Sequence, residues 1–222
     1  MTHQLAIESV TVERGGRPVV HGISLELAAG QVTALLGANG AGKSSLVLAI
    51  GGVLRPSGGR VMLGERDLTG RRPERIRRAG IAVVPEGRRL LPDLTVQENL
   101  RVATFSLTPA AAREGRARAH ALSGGEQQML VLAQALVSQP SFVLIDELSL
   151  GLAPLVVQRL IPTIRAIAES GVGVLLIEQF ATVALGLAER VYVMERGRIR
   201  FSGRASDLVA TPELLHSAYL AG

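Results

Sequence analysis

Val32-Thr33-Ala34-Leu35-Leu36-Gly37-Ala38-Asn39-Gly40-Ala41-Gly42-Lys43-Ser44-Ser45 is an apolar run that ends in a glycine-rich loop, and a helix-forming run, Leu46 to Ile50, follows it. Gly37, Gly42, Lys43 and Ser44 keep the G-x-x-x-x-G-K-[ST] spacing of a phosphate-binding loop. The spacing has a physical reason. Residues without a Cβ let successive backbone N–H groups turn inward and form an anion nest. The helix that starts near Lys43 adds the positive end of its dipole. Lys43 can reach the β- and γ-phosphates of a nucleotide, and the Ser44 hydroxyl can hold Mg²⁺. Asn39, Gly40 and Ser45 complete the candidate phosphate cradle.

Composition sharpens this. The chain has 24 basic residues, and Lys43 is the one lysine among them. A compact ammonium suits a tight phosphate loop where a planar guanidinium does not.

At 222 residues the chain is expected to form one domain, 1–222, with 47% hydrophobic residues for a sizeable core. Aromatics are 3%, so base-stacking platforms are scarce, and with no Cys there is neither a disulfide nor a thiolate metal site. The first residues, Met1 to Glu8, lack a basic region followed by a long apolar run, so no signal peptide is expected. No apolar run approaches ~20 residues, and a cytoplasmic location is expected. The net charge is +5, with Arg71, Arg72, Arg75, Arg77 and Arg78 clustered. Contact with nucleic acid or an acidic membrane face is one reading. A solvated helix face in an Arg-biased composition is the other, and it is the favoured one.

Ser9 to Glu13 and Ile23 to Leu27 alternate as antiparallel strands across the turn at Gly15-Gly16-Arg17-Pro18. Val32 to Leu36, Arg60 to Leu63, Ile81 to Val84, Phe142 to Ile145 and Val172 to Ile177 read as strands. Glu74 to Ala79, Thr95 to Thr104, Gly125 to Ser138, Pro154 to Glu169, Phe180 to Ala188 and Ala205 to Leu220 read as helices. Thr95 with Glu98 has capping-box spacing, and Pro162 should kink its helix. Val191 to Glu195 and Arg198 to Ser202 form a hairpin, while Ser106 to Ala121 is weakly specified. Strands alternating with helices imply an α/β fold with a mostly parallel sheet covered by helices.

Two further motifs carry chemistry. Phe142-Val143-Leu144-Ile145-Asp146-Glu147 is an apolar strand ending in two carboxylates. Asp146 can hold Mg²⁺, and Glu147 can orient or deprotonate an attacking water. Leu122-Ser123-Gly124-Gly125-Glu126-Gln127-Gln128 places a hydroxyl and two glycines ahead of a helix, a second anion corner that one nucleotide does not need.

Here the chain resembles the ATP-binding cassette (ABC) ATPases. The resemblance implies a P-loop NTPase with an antiparallel β subdomain and a helical subdomain, near residues 95–138, that is shortened between Arg101 and Ala121. Val84-Pro85-Glu86-Gly87-Arg88-Arg89, Thr95 to Leu100, Ser149-Leu150-Gly151-Leu152-Ala153-Pro154, Leu176-Ile177-Glu178-Gln179 and the ending Ser217 to Gly222 are similar to one subfamily. It is the second ATP-binding subunit of branched-chain amino acid importers.

The resemblance implies an ATPase that pairs with a second cassette, like or unlike, under two membrane permease subunits. A periplasmic binding protein feeds them, and the cassette lies on the cytoplasmic face of the inner membrane. It implies that Ser123, Gly124, Gly125 and Gln127 meet the γ-phosphate of ATP held by the partner. The serine-glycine corner should therefore lie at the surface. Glu86 stands at the loop position that senses γ-phosphate, near the metal, and Gln179 at the switch position. Arg14 stands where an adenine-stacking aromatic is usual; a guanidinium can stack instead. Leu148 replaces the proline expected after Glu147, so the turn placing Glu147 is expected to be less stiff, and a weakly hydrolysing cassette is favoured on that ground. Phe180 replaces an asparagine. Alternatives are a weakly hydrolysing regulatory cassette and a nucleic-acid-associated cassette, though no nucleic acid partner is expected.

Overall fold

The computed structural model describes residues 4–87, 89–104 and 117–210. Among them, two sheets and seven α-helices pack as layers. The strands are β1 (Gln4–Arg14), β2 (Arg17–Ala28), β3 (Val32–Leu36), β4 (Gly58–Leu63), β5 (Arg66–Asp67), β6 (Ile81–Val84), β7 (Phe142–Asp146), β8 (Gly173–Glu178), β9 (Arg190–Glu195) and β10 (Arg198–Arg204). The helices are α1 (Lys43–Ile50), α2 (Pro73–Ala79), α3 (Val96–Thr104), α4 (Gly124–Leu136), α5 (Pro154–Glu169), α6 (Ala181–Leu185) and α7 (Ala205–Val209).

The larger sheet runs β10-β9-β3-β8-β7-β6, parallel throughout except for β10 on β9. Its strands are apolar on both sides because both sides are covered. Leu35, Phe142, Leu144, Leu175, Ile177, Tyr192 and Met194 face one core, which the antiparallel sheet β2-β1-β4-β5 and α1 close. Their neighbours Val32, Ala34, Leu36, Val143, Ile145, Val174 and Leu176 face a second core under α4 to α7. The period of two that defines a strand thus divides the chain into two hydrophobic layers.

The expected elements form, with local differences. β1 starts at Gln4 rather than Ser9, because a bulge lies between Ile7 and Val10 and Ser9 sits at φ +50°. The bulge shifts the buried positions from Leu5 and Ile7 to Val10 and Val12, which breaks the alternation as read along the chain. α6 ends at Leu185 instead of reaching Ala188. α7 covers Ala205–Val209, and the remainder of that expected helix lies outside the described residues, as does most of Ser106 to Ala121. α5 runs through Pro162. Pro162 and Gln158, whose carbonyl loses its usual donor, are both exposed, so water can take that carbonyl. α2 buries only Ile76; Arg75 and Arg78 are exposed, while Arg77 is half-buried and its Nη2 donates to Gln134 O of α4 at 3.3 Å.

Thr95 caps α3 as its spacing predicts: its N–H and hydroxyl donate to Glu98 Oε2, both at 2.8 Å, and Glu98 N–H donates to Thr95 Oγ1 at 3.2 Å. No helix among the described residues is long and apolar enough to cross a membrane.

Phe142 is fully buried where β7 meets α1 and the antiparallel sheet. Phe142→Ala is expected to lower unfolding free energy by about 3–5 kcal/mol in urea titrations. A loss below about 1 kcal/mol would contradict the two-layer packing.

Candidate active site

In open parallel sheets, ligands bind outside the carboxyl ends of the strands. Here those ends collect the chemistry. Leu36 pairs with Glu178, and Ile177 pairs with Asp146, so the phosphate loop, Asp146-Glu147 and Glu178-Gln179 leave the sheet side by side. Val84 pairs with Ile145 at the end of β6, and Glu86 follows two residues later.

The phosphate loop is held from outside. A Cβ on Gly37 would run into the Met194 carbonyl of β9. Gly42 caps α1 at φ +103°, and a Cβ there would lie 2.6 Å from Val19 O. Gly197 N–H, in the β9–β10 turn, donates to Ala41 O at 2.8 Å, and His21 N–H donates to Gly197 O at 2.8 Å. That turn links the loop to β2, a brace that sequence reading did not single out. Asn39 and Gly40 are exposed, Ser44 is half-buried and Ser45 is buried. α1 begins with neither a side-chain cap nor an acid in its first turn. α2, α5 and α6 also start without a side-chain cap, so what suits the α1 start to an anion is the glycine loop and Lys43 beside its free N–H groups.

Lys43 is buried, and its Nζ donates to Gly37 O at 2.8 Å and Ala38 O at 3.1 Å. Burial lowers its pKa, while Glu147, Asp146, Glu178 and Glu86 pull the other way. Glu86 itself is exposed on its loop. Asp146 is buried, and its pKa is pushed up to about 6, chiefly by burial, then by Glu147 and Glu86, against the Ser44 hydroxyl and Lys43. Its Oδ1 is buried with no hydrogen-bond partner. A buried carboxylate oxygen in that position calls for a cation. One carboxylate and one hydroxyl, with the remaining positions left to water and phosphate oxygens, fit Mg²⁺. Among the described residues no group of three or more His, Cys, Asp or Glu could hold a metal, so a metal here would lean on its substrate.

Glu147 is half-buried with φ +54°, and its N–H donates to Ile177 O at 2.9 Å. Leu148 does not loosen this turn: it is fully buried in the second core. Glu178, which sequence reading assigned no role, is 1% exposed and accepts from Ser149 N–H at 3.0 Å and Ser149 Oγ–H at 2.7 Å. Gln179 is half-buried and Phe180 exposed beside it.

The serine-glycine corner lies apart. Ser123 is exposed at the start of α4, and Gly124 and Gly125 are partly covered. Among the described residues no hydrogen bond or ion pair joins it to the phosphate loop. Ser123 forms a capping box with Glu126, whose Oε2 accepts from Ser123 N–H at 2.8 Å and from its hydroxyl at 2.7 Å. Gly125 also has a packing reason, since a Cβ there would lie 2.6 Å from Val156 Cγ1 of α5. Gln127 Nε2 donates to Ala119 O at 3.2 Å and Leu122 O at 3.1 Å, bracing the loop before the corner. Arg14 is exposed at the end of β1, on the hairpin whose Val19 abuts Gly42.

Comparisons with known proteins show the family and the fold. A family model described as ABC transporter matches residues 20–149. The high-affinity branched-chain amino acid transport ATP-binding protein BraG of Pseudomonas aeruginosa is 39% identical, with 98% of this chain and all of that protein covered. The lipopolysaccharide export system ATP-binding protein LptB of Acidithiobacillus ferridurans is 29% identical over 99% of this chain and 98% of that one. A crystal structure of a nucleotide-free ATP-binding cassette from an ABC transporter has the same fold, with TM-score 0.86 at 24% identity over 96% of this chain and 97% of that one.

Asp146 titrates higher in the folded chain than in the unfolded one, so its burial destabilises the ligand-free protein above pH 6, and the effect vanishes below pH 3.8. Asp146→Asn is therefore expected to raise the melting temperature of the protein free of nucleotide and metal at pH 8, by roughly 2–3 kcal/mol of stability. The gain should shrink as pH falls through 6 toward 4. A lower melting temperature for the Asn variant at pH 8 would contradict the burial argument.

Proposed function

We infer the function of this chain from its family: it belongs to the ABC transporter family of ATP-binding cassettes, and it is the ATPase subunit of a transporter. Within that family we propose that it serves an importer of branched-chain amino acids. Support comes from its identity to BraG over both full lengths and from the motifs after β6, β7 and β8. The export name of LptB shows that similar cassettes serve other cargo.

We read the chain as a single cassette domain, 1–222, with residues near 95–138 as its helical subdomain. It would lie on the cytoplasmic face of the inner membrane under two permease subunits, with a periplasmic binding protein delivering cargo on the far side. The observation that carries the reading is the exposed corner at Ser123, separate from the phosphate loop. Two half-sites on one chain call for two chains, like or unlike, closing over two nucleotides.

In each closed site Gly37, Asn39, Gly40, Gly42, Ser44 and Ser45 would cradle the phosphates of ATP, with Lys43 reaching toward the γ-phosphate. Lys43 would exchange its carbonyl partners for phosphate oxygens. Ser44 and Asp146 would hold Mg²⁺, with Glu86 close to it. The ion, when bound, neutralises charge on the β- and γ-oxygens. The partner's equivalents of Ser123, Gly124, Gly125 and Gln127 would close over the γ-phosphate. Glu147 would orient and deprotonate the attacking water, Gln179 would hydrogen-bond the γ-phosphate, and Arg14 would stack on adenine. The burial of Leu148 removes a ground for reading the chain as a weakly hydrolysing cassette, since the turn under Glu147 is anchored by the core.

Glu147→Gln is expected to keep ATP affinity, lose steady-state phosphate release by about 100-fold or more, and elute as an ATP-dependent dimer on gel filtration. Hydrolysis at the parental rate would refute the assigned role.

A further inference from the structure

The turn that carries Glu147 faces a conformational difficulty. Glu147 is a non-glycine residue at φ +54°, in the left-handed region, and such a residue persists only where its surroundings hold it. The surroundings do so at three successive positions. Glu147 N–H is bonded to Ile177 O of β8. Leu148 is sunk in the core. Ser149 is gripped by Glu178, the last residue of β8, which takes its N–H on one carboxylate oxygen and its hydroxyl on the other.

Glu178 is an expensive choice for mere packing. It is 1% exposed, with burial and the nearby Glu147 both disfavouring its charge. A buried carboxylate tolerates such a place when several donors converge on it. Here both donors, an N–H and a hydroxyl, come from Ser149 in the turn after β7.

We propose that Glu178 is a positioning residue for hydrolysis, its carboxylate locking the Glu147 turn through Ser149. The inference rests on the reading of Glu147 as the residue that activates water. Glu178 acts through the turn. With the clamp removed, the phosphate loop still binds nucleotide, but the base samples orientations away from the attacking water. Displacements of about 1 Å at a base can cost up to about 100-fold in rate.

The test uses the full chain, with its partner cassette if one is needed for activity. ATP affinity, KM and kcat are measured for Glu178→Ala, Ser149→Ala, the double variant and Glu178→Gln. Glu178→Ala is expected to lower kcat at least about tenfold while KM and affinity stay within about twofold, the split expected of lost positioning. Ser149→Ala should lower kcat in the same sense. The double variant should be no slower than Glu178→Ala, because both remove one clamp. Glu178→Gln should recover most of the rate, since its amide can accept from Ser149 N–H and donate to Ser149 Oγ.

Parental kcat in Glu178→Ala would overturn the proposal, as would additive losses in the double variant. If Glu178→Ala fails to bind ATP or to fold, Ser149→Ala decides: parental kcat there overturns the proposal, and a lowered kcat at unchanged affinity supports it. Glu147→Gln run in parallel separates the two levels. If Glu147→Gln hydrolyses normally, the underlying reading fails. If it is inactive and Glu178→Ala is not slowed, only the clamp is wrong.

Discussion

One lysine and three carboxylates share the carboxyl edge of the parallel sheet, and the rest of the site follows from that crowding. Lys43, Asp146 and Glu178 are buried there, and Glu147 is half-buried beside them. Burying charge is costly unless it is paired, and a single ammonium does not balance the set. Two of the carboxyls answer in different ways. Glu178 is satisfied by hydrogen bonds from Ser149. Asp146 keeps one oxygen without a partner, and burial pushes its pKa up to about 6. The edge is left short of positive charge beside an uncapped helix that is short of an anion. A magnesium nucleotide brings both.

The two hydrophobic layers turn this charge distribution into a geometry. The parallel sheet aligns β3, β7 and β8 so that their last residues fall in one row. The antiparallel sheet packs on the other side of α1 and reaches the loop through Val19 and through the hydrogen bonds of Gly197. The loop, the carboxylates and the end of β8 are therefore fastened to a common core. The serine-glycine corner sits on a separate helix whose own cap is satisfied by Glu126. Meeting a partner's phosphate would require Ser123 to exchange that carboxylate for another anion.

Much of this was legible in the residues. The phosphate loop, the Asp146-Glu147 strand end and the serine-glycine corner announce themselves by spacing, because each needs glycines or carboxylates at set offsets. The apolar strands announce themselves by continuous apolar runs, and the Thr95 cap by its glutamate three residues on. Other features were not legible. The bulge at Ser9 shifts the alternation by one residue, so β1 looked shorter than it is. β5 has two residues and no pattern to detect. Glu178 looked like an ordinary member of a motif, since its partner Ser149 lies 29 residues away and meets it only when β7 and β8 pair. Leu148 suggested a loosened turn because proline was missing; only the packed core shows that burial replaces ring stiffness. The brace that the Gln127 amide makes to Ala119 and Leu122 could not be seen in its motif position.

The central claim is that the buried Asp146 carboxylate awaits a cation carried by the nucleotide. Calorimetric titration with Mg·ATP at pH 6, in buffers of different ionisation enthalpy, measures it most directly. The account predicts release of about half a proton per site at pH 6, falling to none at pH 8 and absent in Asp146→Asn. Proton uptake at pH 6, or equal release from the Asn variant, would contradict it.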